Sequence, residues 1–377
     1  MDIVLASPKI RTRIDAGSSA TPSIAQEYRI GAVPGGDPNL DRHWAGLLVA
    51  YAAMSSVVSD QTVSLSPPLL QKLQLELYRR SRVEVWLLRL DTLHPQVSGN
   101  KGFKLKYALE EAQACGAARI LSFGGAFSNH IHALAFAGFA RGIDTIGVIR
   151  GESDYAGNPT LSDAASWGMR LHFVDRATYR RKAQQAFLSH LEGLFGPCYL
   201  IAEGGCGPLA TRGCREILGQ VPAEQLARFD LIAVAVGTGG TLSGLIASRP
   251  AHCRLLGFPV LKGAEFLFRD IRSQLADAGI ADPGGWHLQL DAHGGGYGCV
   301  TTQLAAFLAA FERETGILLD PVYTGKMLLR FNQQVADGDV PAGSRVLLIH
   351  TGGLQGLRGM AKTLYDRRLA FQGALPL

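Results

Sequence analysis

The chain has 377 residues, 47% of them hydrophobic and 18% charged, a balance that excludes an intrinsically disordered protein and leaves room for more than one domain. Lysine and arginine exceed aspartate and glutamate by five, 37 against 32, with no run of five or six like charges, so nucleic-acid binding is disfavoured. Glycine is over-represented at 45 of 377, against roughly 7% on average, and calls for many tight turns or close approaches between backbone and ligand.

Met1 to Asp41 is rich in proline, glycine, serine and charge without a sustained period, and is expected to be a loose or disordered arm. Trp44 to Val58 is apolar, but too short for a membrane span of about 20 residues and too far from the start for an ordinary signal peptide. Met54 is a candidate natural start, because every clear alternating pattern lies after it. Cys115, Cys198, Cys206, Cys214, Cys253 and Cys299 form no CxxC pair and no zinc-type spacing, so free thiols, no metal site and a cytoplasmic location are expected.

From residue 67 onward, short β-branched runs, glycine-rich turns and helical segments alternate. The pattern predicts strands at 83–90, 120–123, 145–149, 170–174, 199–202, 231–236 and 345–349. It predicts helices over 104–115, stopped by Gly116, and over 129–140, 160–167, 183–194 and 212–218, with a last glycine-initiated helix after the final strand. Such alternation predicts an α/β fold with open, mostly parallel sheets, in which ligands bind in the turns at the carboxyl ends of strands.

Four turns carry chemistry. In SGNKGFKLK, Ser98 to Lys106, Lys101 sits between Gly99, Asn100 and Gly102 in flexible backbone, with Lys104 one turn on. Desolvation or a neighbouring cation lets a lysine shed its proton and act covalently; the competing reading is a solvated basic helix start. In SFGGAFSNH, Ser122 to His130, Ser128 and Asn129 suit a helix N-cap, and equally an anion site for a substrate carboxylate. In VGTGGTLSG, Val236 to Gly244, backbone N–H groups with the Thr238 and Thr241 hydroxyls suit a monophosphate. The loop lacks the Gly-Lys-Ser/Thr end of a Walker loop and the third glycine of a dinucleotide fingerprint. In LLIHTGGLQG, Leu347 to Gly356, Thr351 offers a neutral hydrogen-bonding group, while His350 reads as a satisfied, semi-buried histidine. Tyr297 in GGGYG and Tyr323 in LDPVYTGK are packing anchors or site residues.

SGNK at 98–101, GGxxSNH at 124–130, GTGGT at 237–241, LDPVYTGK at 319–326 and HTGG at 350–353 stand in the order found in pyridoxal-phosphate enzymes of the tryptophan-synthase-β type. Over about residues 67 to 365 the chain most closely resembles the 1-aminocyclopropane-1-carboxylate (ACC) deaminase and D-cysteine desulfhydrase family. The resemblance implies that Lys101 forms a Schiff base with pyridoxal 5'-phosphate and that Asn129 bonds the cofactor's phenolic oxygen. It implies that Gly237, Thr238, Gly239, Gly240 and Thr241 hold the phosphate, that Ser128 holds the carboxylate of a small amino-acid substrate, and that Tyr297 and Tyr323 flank that substrate and transfer protons. It implies a fold of type II with a large domain at 67–103 and 198–377, a small mobile domain at 104–197, an unmatched extension at 1–66, and a homodimer. Phe103 and Phe127 are expected to narrow the pocket.

ACC deaminases carry a glutamate directly after the second tyrosine, against the pyridine nitrogen; here that position is Thr324, with Thr351 as the expected nitrogen partner. A neutral ring delocalises a carbanion less well, which suits rapid expulsion of a leaving group. D-cysteine β-elimination to pyruvate, ammonia and sulfide is therefore favoured over ACC ring opening to 2-oxobutyrate and ammonia. The α-proton goes to Lys101 or to a tyrosine. A lyase of D-serine or another β-substituted amino acid is a rival within the family. A nucleotide-dependent oxidoreductase on the same architecture and a cofactor-binding protein without turnover are remoter readings.

Overall fold

Ten strands follow one another along the part of the chain that the computed structural model describes, residues 66–372. They are β1 (Leu69–Leu73), β2 (Glu84–Arg89), β3 (Arg119–Gly125), β4 (Asp144–Arg150), β5 (Arg170–Val174), β6 (Tyr199–Ile201), β7 (Leu231–Val236), β8 (Arg254–Pro259), β9 (Trp286–Leu288) and β10 (Arg345–His350). The expected loose arm, the apolar run at 44–58 and the start at Met54 lie outside the described residues.

Two sheets result. Six strands take the order β1-β2-β10-β7-β8-β9, parallel except for the antiparallel β1-β2 pair, and four parallel strands take the order β5-β4-β3-β6. Val346 to Ile349 of β10 and Ile232 to Val234 of β7 have no exposed surface, as expected of central parallel strands covered on both faces, which read as unbroken apolar runs.

Helices of seven residues or more cover these faces: α1 (Asn100–Ala114), α2 (Asn129–Arg141), α3 (Pro159–Ser166), α4 (Gln185–Phe195), α5 (Pro208–Cys214), α6 (Gly240–Ser248), α7 (Leu267–Asp277), α8 (Thr302–Thr315), α9 (Thr324–Asp337) and α10 (Leu357–Gln372). α1 serves both sheets: Phe103 joins the core of the six-stranded sheet, with Ile232, Leu245 and Leu347, whereas Leu105 and Leu109 join that of the four-stranded sheet, with Ile120, Ile131 and Leu134. None of the described helices is long and apolar enough to cross a membrane.

The α/β alternation stands, with several corrections. α1 starts at Asn100, four residues earlier than expected, so Lys101 belongs to a first helical turn and not to flexible backbone. α5 runs from Pro208 to Cys214 and not over 212–218, because Pro208 presets the first helical φ. β6 pairs with β3; the crossover through α4 returns the chain to the same sheet beyond β3. β1, β8 and β9 had no sequence signal. Gly257 and Pro259 interrupt β8, and β9 has only three residues.

α5 is wedged between α1 and α6 by close contact. A Cβ on Gly213 would lie 1.9 Å from the Phe103 carbonyl oxygen, and one on Gly244 would lie 2.3 Å from the Cys214 Cβ. Gly213→Ala is therefore expected to cost about 1–3 kcal/mol or more through overpacking. Gly219→Ala, where nothing lies within 4 Å of the added carbon, serves as the neutral control. Urea midpoints of the two variants measure the difference; equal midpoints would contradict the packing.

Candidate active site

The turns after β3, β7 and β10 open on one cavity of about 420 Å³, within the usual range for small-ligand sites. Lys101, Ser128, Asn129, Gly237, Thr238, Gly239, Thr241, Tyr297, Tyr323 and Thr351 all line it; Gly240 stands just behind, as the first residue of α6. Phe127 is on the wall, but Phe103 is not. Two positions past Lys101 on a helix points the other way, and Phe103 is buried in the core.

Lys101 is set in place by Gly99. There φ is +68°, a conformation that favours glycine, and a Cβ would meet the Thr351 carbonyl oxygen at 1.9 Å. The Asn100 N–H donates to that same oxygen at 3.2 Å, docking the first turn of α1 on the end of β10. The Lys101 Nζ donates to Asn100 Oδ1 (2.8 Å), and Asn100 Nδ2 donates to Thr241 Oγ1 (2.7 Å), so one side chain joins the lysine turn to the glycine loop. Burial first, and then the Lys104 ammonium, bring the Lys101 amine down to about 7. Lys104 is itself buried and donates to the Gly204 carbonyl at 3.1 Å.

The glycine loop presents bare N–H groups. No side chain caps the N-terminus of α6, and Gly239 turns into it with φ +88°. Gln274 of α7 braces the loop from behind by donating to the Thr238 carbonyl (2.8 Å). An uncapped helix start binds anions through its N–H groups and its dipole. The cavity thus offers a phosphate cradle, an amine that is partly uncharged at neutral pH and the Thr351 hydroxyl, a donor set that fits pyridoxal phosphate.

On the opposite wall Ser128 caps α2, accepting the Ile131 N–H at 3.3 Å. Asn129 Oδ1 accepts from Gln355 Nε2 (2.5 Å), and Gln355 Oε1 accepts from Thr160 Oγ1 (2.8 Å). That chain engages the Asn129 oxygen and leaves its Nδ2 as a donor with no acceptor among the described hydrogen bonds. Ser122 Oγ donates to the Ile201 carbonyl (2.7 Å), so it accepts from His130 Nε2 (2.8 Å). His130 is therefore protonated on Nε2, and its buried Nδ1 has no partner among the described residues. Burial, followed by the Lys101 and Lys104 cations, pushes its pKa down to about 3, so it stays neutral.

Tyr323 precedes α9, and its hydroxyl donates to that of Tyr297 at 3.3 Å. Burial raises Tyr323 well above its ordinary value, and Tyr297, although 49% exposed as a whole residue, is raised by desolvation at its phenol end, so both are protonated at neutral pH. Behind them Asp320 accepts the backbone N–H groups of Val322, Tyr323 and Thr324. The Thr324 hydroxyl is buried without a partner among the described residues. His350 is structural, with Nε2 against the Leu318 carbonyl (2.9 Å) and Nδ1 accepting from Gly352 N–H (3.1 Å).

Sequence reasoning missed Gln355, Arg150 and Glu203. The last two line the cavity, where Glu203 accepts from the Tyr179 hydroxyl (2.8 Å) and pairs with Lys182 (3.2 Å). Isolated residues of common type, far from the glycine turns, carry no local signal.

A family profile described as pyridoxal-phosphate dependent enzyme matches residues 68–352. A Pyrococcus furiosus protein provisionally named 1-aminocyclopropane-1-carboxylate deaminase is 31% identical over 285 residues, 72% of this chain and 85% of the relative. An Arabidopsis thaliana protein named bifunctional D-cysteine desulfhydrase/1-aminocyclopropane-1-carboxylate deaminase, mitochondrial, is 28% identical over 297 residues, 73% of each chain. A crystal structure of an ACC deaminase homologue superposes with a TM-score of 0.72 at 26% identity, covering 84% of this chain and 98% of its own.

Because the Lys101 amine titrates near 7 and not at its ordinary 10.5, its uncharged fraction appears as pH rises through neutrality. Acylation of the cofactor-free protein, followed by peptide mapping, is expected to label Lys101 with a rate that climbs around pH 7. Lys104→Met should move that midpoint upward, since a neighbouring cation is removed. A midpoint near 10 in the unsubstituted protein would refute the assignment.

Proposed function

Because this chain belongs to the pyridoxal-phosphate dependent enzymes, in the group of lyases and deaminases that its relatives define, we propose that it eliminates the β-substituent of a small amino acid, with D-cysteine as the preferred substrate. Elimination releases sulfide and leaves 2-aminoacrylate, which water hydrolyses to pyruvate and ammonia. Relatives are named for both D-cysteine desulfhydrase and ACC deaminase activity, so the choice rests on one observation. No carboxylate is free near Thr351: Glu203, the one acidic residue on the cavity wall among the described residues, is engaged by Tyr179 and Lys182, and Asp320 by three backbone N–H groups. The Thr351 hydroxyl on the cavity wall remains as the partner for the pyridine nitrogen, since Thr324 is fully buried and does not line the cavity, which supports a weaker electron sink and a reaction with a good leaving group.

The cofactor, when bound, draws electron density from the substrate Cα and acidifies its α-proton. Lys101 is the residue that would bond the cofactor's aldehyde carbon, its amine being nucleophilic near neutral pH. The N–H groups at Gly237 to Thr241 would hold the phosphate, and Asn129 Nδ2 would donate to the phenolic oxygen. Ser128 and the first turn of α2 would hold the substrate carboxylate. Once the substrate amine takes its place, the Lys101 amine is the base that accepts the α-proton, because both phenols stay protonated at neutral pH and so cannot serve as bases. As the Cβ–S bond breaks, its electron pair leaves with sulfur, and a tyrosine hydroxyl would stabilise the departing hydrosulfide by donating a hydrogen bond to it while keeping its own proton.

Ser128 and Asn129 follow a strand of the four-stranded sheet, whereas the phosphate loop and the tyrosines belong to the six-stranded side. Closure of the smaller sheet over the substrate is part of this reading, as are a homodimer and a cytoplasmic site of action suited to six free thiols.

Pyruvate and sulfide release from D-cysteine is expected to exceed 2-oxobutyrate release from ACC by at least about tenfold in kcat/KM, that is, by at least about 1.4 kcal/mol in barrier. The reverse ratio would sink the substrate assignment. Lys101→Ala is expected to abolish both turnover and the visible absorbance of the bound cofactor; a variant that keeps both would remove Lys101 from the site.

A further inference from the structure

Lys326 is 2% exposed, yet among the described residues no carboxylate pairs with it. Its Nζ donates to the carbonyl oxygens of His293 (2.8 Å) and Gly296 (2.6 Å). The ionisable groups that act on it are Cys299 and Asp320, and both Asp320 oxygens already serve backbone N–H groups. Burial pulls the amine down to about 8, so it is mostly an ammonium at neutral pH. Carrying that charge inside the protein costs free energy that a neutral residue would not.

The segment it holds has little else to order it. Gly294, Gly295, Gly296 and Gly298 all have positive φ, at 56°, 95°, 128° and 71°, and glycine loses more conformational freedom on folding than any other residue. Tyr297, set among them, is 49% exposed, so apolar burial does not pin it. The hydrogen bonds of Gly295 N–H to His293 Nδ1, Gly296 N–H to the His293 carbonyl and Cys299 N–H to the Gly296 carbonyl stay within the loop and its flanks. Among the described hydrogen bonds, those that fasten residues 293–298 to another element are the two from Lys326 and the Tyr323–Tyr297 contact. Lys326 stands one helical turn after Tyr323, and its stem lies along Gly294, where an added Cβ would meet Cε at 3.7 Å.

From this geometry we infer that Lys326 is a positioning residue of the active site. By gripping the His293 and Gly296 carbonyls from the helix that follows Tyr323, it sets Tyr297 against Tyr323 and fixes where the two hydroxyls stand across the substrate. The inference rests on the proposed reading in which both tyrosines face the substrate. It assigns to a buried side chain outside the cavity wall the task of ordering a glycine-rich loop.

The test uses the holoenzyme with D-cysteine and four forms: unsubstituted, Lys326→Met, Tyr297→Phe, and the double variant. Lys326→Met is expected to speed amide hydrogen exchange in peptides spanning 293–299 while leaving β10 unchanged, and to lower kcat by about tenfold to a hundredfold with a smaller change in KM. In the Tyr297→Phe background the same substitution should cost little more, because its effect passes through the missing hydroxyl. Unchanged exchange at 293–299, or the same loss of kcat in both backgrounds, would overturn the inference. If Tyr297→Phe alone keeps full turnover, the reading of the tyrosines fails, and the exchange measurement still decides whether Lys326 holds the loop. Should Lys326→Met not fold, Lys326→Gln, which keeps an uncharged donor of shorter reach, is carried through the same measurements.

Discussion

At Gly99 the chain passes so close to Thr351 and Gly352 that a side chain would collide with a carbonyl, and at Gly213 α5 presses on the carbonyl of Phe103 by the same margin. Both contacts bear on α1, one at its start and one along its flank. Together they bring the lysine turn, the end of β10 and, through α5 and Gly244, the glycine loop before α6 into one place. Packing of this kind has no slack: an added carbon must displace a backbone, not a rotamer. The cavity is thus a consequence of close packing between helices that carry its functional groups at their N-terminal ends.

Protonation in the cavity follows from the same burial. An ammonium loses its proton more easily when desolvated beside a second cation, a phenol keeps its proton, and an imidazole stays neutral. Lys101, Tyr323 and His130 illustrate the three cases within one site. The sorting leaves Lys101 near neutrality as the group able to accept a proton, and the phenols as hydrogen-bond donors that hold theirs. It also explains why the cationic floor of the cavity, Lys101 with Lys104, suits a ligand bearing a phosphate and a carboxylate.

What could be read in advance was local chemistry. Glycine pairs after apolar strands, serine and asparagine before an alanine-rich helix, and a lysine among glycines each state a backbone requirement, and those motifs fall on one cavity. Where the reading failed, geometry beyond the motif decided. Phe103 sits beside the lysine in sequence but points into the core. Gln355, Asn100 and Lys326 act on partners 226, 141 and about 30 positions away, respectively, so no local pattern marks them.

Taken alone, the amino-acid order determined the α/β alternation and the turns at which chemistry is done, because strand periodicity, helix starts and glycine conformations are properties of a few neighbouring residues. Tertiary structure alone decided how those turns meet and which side chains orient them. The depressed amine of Lys101, the aim of Asn129 and the grip of Lys326 on the Tyr297 loop all depend on desolvation and on hydrogen bonds between distant segments. Those arise only when the helices close on one another without a Cβ between them.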